Sequence, residues 1–214
     1  MTIAKGDRIP DVTLVKATEN GPEKVQSVEY FAGKKVALVS VPGAVTPTGS
    51  AMHLPGFVEK AGDLKAKGVD EIAATAVNDA FVLGAWNKAS GSSDITMLAD
   101  GNGEFADALC LTMDGSGFGM GKRGQRFSMI VNDGVVEELN VEAPGDFKVS
   151  SAEHMLGQLY ASAPGNRKGA ATGRPFPSAG EPLRLSSITF SPASGASSRW
   201  RCRGPCGPTG RPAR

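Results

Sequence analysis

Val36-Ala37-Leu38-Val39-Ser40-Val41, running into Pro42-Gly43-Ala44-Val45-Thr46-Pro47-Thr48-Gly49-Ser50, is the stretch that decides the architecture of this chain. The first six residues form a continuous run between Lys34-Lys35 and Pro42-Gly43, the pattern of a central strand covered on both faces. From Gly49 to Gly68 the period changes. Leu54, Phe57, Val58, Ala61 and Leu64 recur at steps of three and four, with Glu59, Lys60, Asp63, Lys65 and Lys67 opposite, which predicts a helix. Pro55 has no N–H to donate, so the early turns should be irregular, and Gly68 is a plausible stop.

Working outward, Ile72–Val77 reads as the next strand and Asp79 as the cap of a helix through about Ala89. Ile95–Leu98 is a third buried strand and Phe105–Leu109 a short helix. Arg126–Val131 and Val135–Val141 flank Asn132-Asp133-Gly134, a hairpin signal because Asp-Gly tolerates positive φ. Ser150/Ser151 followed by Glu153 opens a last helix ending near Tyr160. Strands alternating with helices, then a hairpin and a covering helix, make a layered α/β domain.

The 214 residues, 40% of them apolar, suffice for one good core. The net charge of +1 hides two unlike parts. Residues 1–161 carry 14 Lys/Arg against 21 Asp/Glu, a net of −7, and residues 162–214 carry 9 against 1, a net of +8. The second part is rich in Gly, Pro, Ser, Ala and Arg with few core-forming residues, so disorder is expected there. With Phe176, Phe190 and Trp200 as its aromatics in no regular pattern, it predicts no specific nucleic-acid module. There is no run of about 18 apolar residues for a membrane-spanning helix. Met1–Asp7 shows no signal-like apolar segment, and three cysteines make no disulfide framework, so a reducing cytoplasmic setting is the expectation.

Several further segments carry a resemblance. They are Gly6-Asp7-Arg8-Ile9-Pro10-Asp11-Val12, Ser50-Ala51-Met52-His53-Leu54-Pro55-Gly56-Phe57, Ala76–Val82 with Ala85-Trp86, Met97–Gly101, Gly119–Ile130 and Leu139–Glu142. Together with Pro42-x-x-x-Thr46, they resemble the type II, or peroxiredoxin-5-like, branch of the peroxiredoxins from about Ile3 to about Tyr160. The resemblance implies a thioredoxin-like fold with a central mixed sheet flanked by helices. It also implies reduction of hydrogen peroxide and alkyl hydroperoxides by a cysteine thiolate, without metal or cofactor. Glutathione/glutaredoxin or thioredoxin would be the reductant, and a homodimer the assembly.

That family's loop reads Pro-x-x-x-Thr-x-x-Cys, and the position of its attacking cysteine is Gly49 here. Carried across, Pro42 shields the reacting group, Thr46 hydrogen-bonds peroxide and Arg126 stabilises the developing negative charge. Each has a plainer reading: Pro42 ends a strand, Thr46 sits in a turn, and Arg126 belongs to a solvated Lys122-Arg123-x-x-Arg126 cluster. His53 matches a position of the resembling family too, and reads as a helix-surface or dimer-edge residue, with a catalytic role as the lesser alternative. Cys110 reads as a small packed thiol, at a position where similar proteins commonly carry Gly, with a resolving cysteine or surrogate nucleophile as the minority alternative. Cys202 and Cys206 read as exposed tail thiols. The expected activity is therefore peroxidase-like but impaired, and the alternative is a non-catalytic member acting as a dimerisation or binding partner.

Overall fold

The computed structural model describes residues 1–162, which lie within one compact unit, Met1–Ala163. The expectations for the basic tail, including Cys202 and Cys206, fall outside the described residues.

Two strands come first, β1 (Thr13–Thr18) and β2 (Gly21–Gln26), then a single helical turn α1 (Ser27–Tyr30) and the central strand β3 (Lys35–Ser40). A π-wound turn, Gly49–His53, leads into α2 (Leu54–Glu59) and α3 (Ala61–Ala66). Next are β4 (Glu71–Ala76), α4 (Ala80–Ala89), β5 (Ile95–Ala99) and α5 (Glu104–Leu109). Then follow the short strands β6 (Thr112–Asp114) and β7 (Lys122–Gly124), the hairpin β8 (Phe127–Asn132) and β9 (Val135–Val141), and finally α6 (Ala152–Ser162).

Seven strands form one sheet in the order β2-β1-β5-β4-β3-β8-β9. β3, β4 and β5 pair in parallel and every other neighbour is antiparallel, so the sheet is mixed, as the family resemblance implies. The parallel pairs follow from the helices between them, since a tight turn cannot return a chain to the same direction. One face of β3 and β4 (Val39, Ile72, Ala74) is covered by Leu54, Phe57, Leu64, Leu83, Trp86 and Met155 from the α2, α3, α4 and α6 side. The other face (Leu38, Leu98, Phe127, Met129) is covered by Phe31, Phe105, Leu109 and Leu111. Fully burying a side chain such as Phe57 contributes roughly 2–3 kcal/mol, which makes this two-sided core the main source of stability.

The helix expected over Gly49–Gly68 forms, but in three pieces. Leu54 N–H donates to the Gly49 carbonyl, a π-type step, just before Pro55, and the chain breaks again at Lys60 (φ −92°, ψ 7°). Pro55 sits in the first turn of α2, where its missing donor costs least. Gly68 takes φ +86° just beyond α3. Asp79 caps α4 as expected, its Oδ1 accepting from Val82 N–H at 2.9 Å. Asp133 (φ +48°) and Gly134 (φ +73°) make the tight turn between β8 and β9. The hairpin β1–β2 and the small pair β6–β7 have no apolar signature in sequence, being short and largely half-exposed.

Candidate active site

The loop after β3 leaves the sheet at the carboxyl ends of the parallel strands. Val41 N–H donates to the Thr75 carbonyl at 3.1 Å and Ala44 N–H to Asn78 Oδ1 at 2.9 Å, tying the loop to the segment after β4. Pro42 is half-buried directly beyond the strand, at the foot of this loop. Val45 is 70% exposed with φ +61°, a conformation that a β-branched side chain resists and that marks local strain. Thr46 then starts the helical winding: its carbonyl accepts from Ser50 N–H at 2.9 Å, and Pro47 follows in the first turn.

Gly49 is buried on that first turn. A Cβ built on it would lie 2.9 Å from Thr46 Oγ1 and 3.7 Å from both the Gly43 carbonyl and Val41 Cγ1. The Thr46 hydroxyl itself donates to the Gly43 carbonyl at 2.9 Å. Pro42, Thr46 and Gly49 thus share one tight loop, with the hydroxyl of Thr46 packed where a side chain at 49 would begin.

Arg126 precedes β8, whose Phe127 pairs with Ser40, so it stands beside the end of β3 where the loop departs. It is half-buried and is not the freely solvated charge of the plainer reading. Its Nη1 donates to His53 Nδ1 at 2.9 Å. The neighbouring basic residues do other work. Arg123 donates from Nη1 to the Val77 carbonyl at 2.6 Å and from Nε to the Met120 carbonyl at 2.8 Å, and Lys122 pairs with Asp107 at the surface.

The reading of His53 as a surface or dimer-edge residue is corrected by the structure. It ends the π-wound turn on the face that carries Phe57, at 0% exposure. Its ring lies between Phe57 and Phe147, with centroids 5.7 and 5.0 Å away, and its Nε2 is 2.9 Å from the Ser150 carbonyl. Burial, reinforced by the Arg126 charge, pushes its pKa from 6.5 down to about 4, so the ring is neutral near neutrality. Burial also lowers the Arg126 pKa from its ordinary value, partly opposed by the Glu142 charge.

Glu142, at the end of β9, has no sequence signal of its own because its partners come from a folded loop. Its Oε1 accepts from the backbone N–H groups of Lys148 (2.6 Å), Val149 (2.8 Å) and Ser150 (2.8 Å), and from Ser150 Oγ (2.9 Å). Burial raises this carboxyl, but the four hydrogen bonds outweigh it and hold the pKa below the usual carboxylate range.

Cys110 lies on the other side of the sheet. Its neighbours Leu109 and Leu111 pack in the core opposite the Phe57 face, and it takes φ +54° as it ends α5. That left-handed cap is a conformation glycine adopts most easily. Among the described residues no cluster of three or more His, Cys, Asp or Glu is placed to hold a metal ion, and no helix is long and apolar enough to cross a membrane.

A mixed sheet between two helical layers, with a polar loop at the end of its central strand, defines a thioredoxin-like domain. The profile of the Redoxin family matches residues 4–156. Within that class the chain belongs to the peroxiredoxin family. It is 49% identical over 164 residues to Peroxiredoxin-2E-2, chloroplastic, of Oryza sativa subsp. japonica, covering 74% of this chain and 73% of that one. It is 46% identical over 159 residues to Peroxiredoxin-2B of Arabidopsis thaliana, covering 73% and 98%. Among solved structures, reduced Prx3 in complex with H2O2 from Vibrio vulnificus superposes with a TM-score of 0.72 at 53% identity, over 74% of this chain and 99% of that one. Peroxiredoxin 5 from Alvinella pompejana gives 0.67 at 31%, over 74% and 99%.

Proposed function

We propose that this chain keeps the hydroperoxide pocket of a peroxiredoxin without its nucleophile. Pro42, Thr46 and Arg126 frame position 49, and Gly49 stands where the family's attacking cysteine belongs. The observation that carries this reading is the direction of the missing side chain: a Cβ on Gly49 points at the Thr46 hydroxyl, on a turn whose His53 holds Arg126.

In the family reaction a thiolate sulfur attacks one peroxide oxygen and the O–O bond breaks. The other oxygen leaves as hydroxide or alkoxide and takes up a proton. The sulfenic acid so formed condenses with a reductant thiol, releasing water, and a second thiol resolves the disulfide. Arg126 offers the oxygens a positive charge and Thr46 a hydroxyl that can accept a hydrogen bond, or donate one after turning away from the Gly43 carbonyl, but neither supplies the electron pair. Because parts of a catalytic unit do not act additively, removal of the nucleophile alone leaves turnover near background. Binding of hydroperoxide without turnover is the resulting function, with glutathione/glutaredoxin or thioredoxin as reductants of a restored enzyme. A homodimer is part of the same reading, supported by Val45 and Met52, apolar side chains 70% and 49% exposed beside the loop.

The test is peroxide consumption by the native chain and by Gly49→Cys, each with the glutathione/glutaredoxin and the thioredoxin systems. Activity in the variant alone is expected. Equal activity in both would sink the proposal and direct attention to Cys110, whose replacement by Ser would then abolish it.

A further inference from the structure

The interaction that holds Arg126 is unusual in its charge. Arginine side chains inside proteins are commonly held by carboxylates, which fix the guanidinium but also neutralise it. Here the partner is an imidazole. The Ser150 carbonyl can only accept, so the proton of His53 resides on Nε2, and Nδ1 is left as a neutral acceptor for Arg126 Nη1. The nearest buried acid, Glu142, is committed elsewhere: its Oε1 gathers four donors from residues 148–150. That same bundle of bonds fixes the Ser150 carbonyl which selects the tautomer. Glu142 also donates its backbone N–H to the Arg126 carbonyl at 3.0 Å, joining both ends of the network.

We propose that His53 is a positioning residue: as a neutral acceptor it aims the Arg126 guanidinium at the Pro42–Gly49 loop while leaving its charge available to an anion, and Glu142, through Ser150, fixes the tautomer that makes this possible. The inference rests on the reading of Arg126 as part of the hydroperoxide pocket. The charge serves the thiolate or the departing oxygen in an active site, and the lone pairs of a bound, neutral hydroperoxide in the native chain. A purely structural histidine, filling the space between Phe57 and Phe147, would need only its shape.

Two measurements separate these roles. In the full native chain, imidazole 15N spectra should show His53 as the Nε2–H tautomer near neutral pH, and Arg126→Gln should shift its Nδ1 resonance. An Nδ1–H tautomer, or an Nδ1 signal indifferent to Arg126→Gln, overturns the proposal. The second measurement uses the thiol introduced by Gly49→Cys as a reporter of the Arg126 charge, read from the pH dependence of its alkylation. Adding His53→Phe, which keeps the bulk and removes the acceptor, should lower the thiolate fraction near neutrality about tenfold, and adding His53→Asn should restore most of it. Depressed and equal thiol pKa values in Gly49→Cys with and without His53→Phe overturn the proposal and leave the pocket reading standing. A thiol undepressed in Gly49→Cys itself sinks the pocket reading, and the native-chain spectra then decide the His53–Arg126 pairing alone.

Discussion

Acid should weaken this fold through His53 in a window set by its environment. In the unfolded chain the ring titrates near 6.5, and in the folded protein burial and the Arg126 charge hold it neutral down to about 4. The folded pKa is depressed, so between those values the unfolded chain binds the extra proton and folding opposes it. Stability is therefore intact above about pH 6.5 and declines as pH falls, levelling off below about pH 4. A shift of 6.5 to about 4, at 1.36 kcal/mol per unit, caps the loss at about 3 kcal/mol. Carboxylates such as Glu142 are also lost to acid, so His53 must be isolated by difference. Urea unfolding of the native chain and of His53→Gln, at several values between about pH 7 and pH 4, provides that difference. Gln can still donate to the Ser150 carbonyl but cannot take up a proton. The stability gap should close, and reverse in favour of the variant, by about 3 kcal/mol across the window. Parallel curves would refute the reasoning, because they would mean that the ring is solvated or already charged in the fold.

Other outcomes follow from single contacts. Asp79→Ala removes the cap on α4 and should cost about 1 kcal/mol in urea unfolding. Thr75 Oγ1 is buried with no hydrogen-bond partner among the described residues, so Thr75→Val should raise the melting temperature, by an amount equivalent to about 1 kcal/mol or more. Gly49→Ala adds helix propensity worth about 1 kcal/mol but displaces the Thr46 hydroxyl from Gly43, a loss of similar size, so it should be near neutral alone. In a Thr46→Ala background the same change should stabilise by about 1 kcal/mol, which a double-mutant cycle reads directly. Gly134→Val forces a β-branched residue to φ +73° and should destabilise by at least about 1–2 kcal/mol in the same assay.

Much of the fold was legible because its signals are local. Val36–Val41 had the pattern of a covered strand, Asp79 stood one residue before an apolar period, and Asp133-Gly134 named its own turn. The β1–β2 hairpin was not legible, since strands carrying Lys16, Glu23 and Lys24 show no apolar alternation to find. In the site, Pro42, Thr46, Gly49 and Arg126 could be named from a motif. What Arg126 touches could not, because its partner His53 is 73 positions away in the chain and meets it only in the fold. His53 is fully buried for the same reason: the rings of Phe57 and Phe147 and the Ser150 carbonyl that enclose it come together only in the fold. Glu142 was invisible for a related reason: its donors exist only once residues 148–150 have folded around it.

The bond between Thr46 Oγ1 and the Gly43 carbonyl acts as a latch whose key is residue 49. Glycine leaves the latch shut. A side chain entered there would begin 2.9 Å from that hydroxyl, so the threonine must give way, and a turn about its χ1 bond would release the carbonyl. A substitution at 49 therefore also rewrites which way a hydroxyl three positions upstream is facing. The loop carries two linked settings, and one codon selects between them.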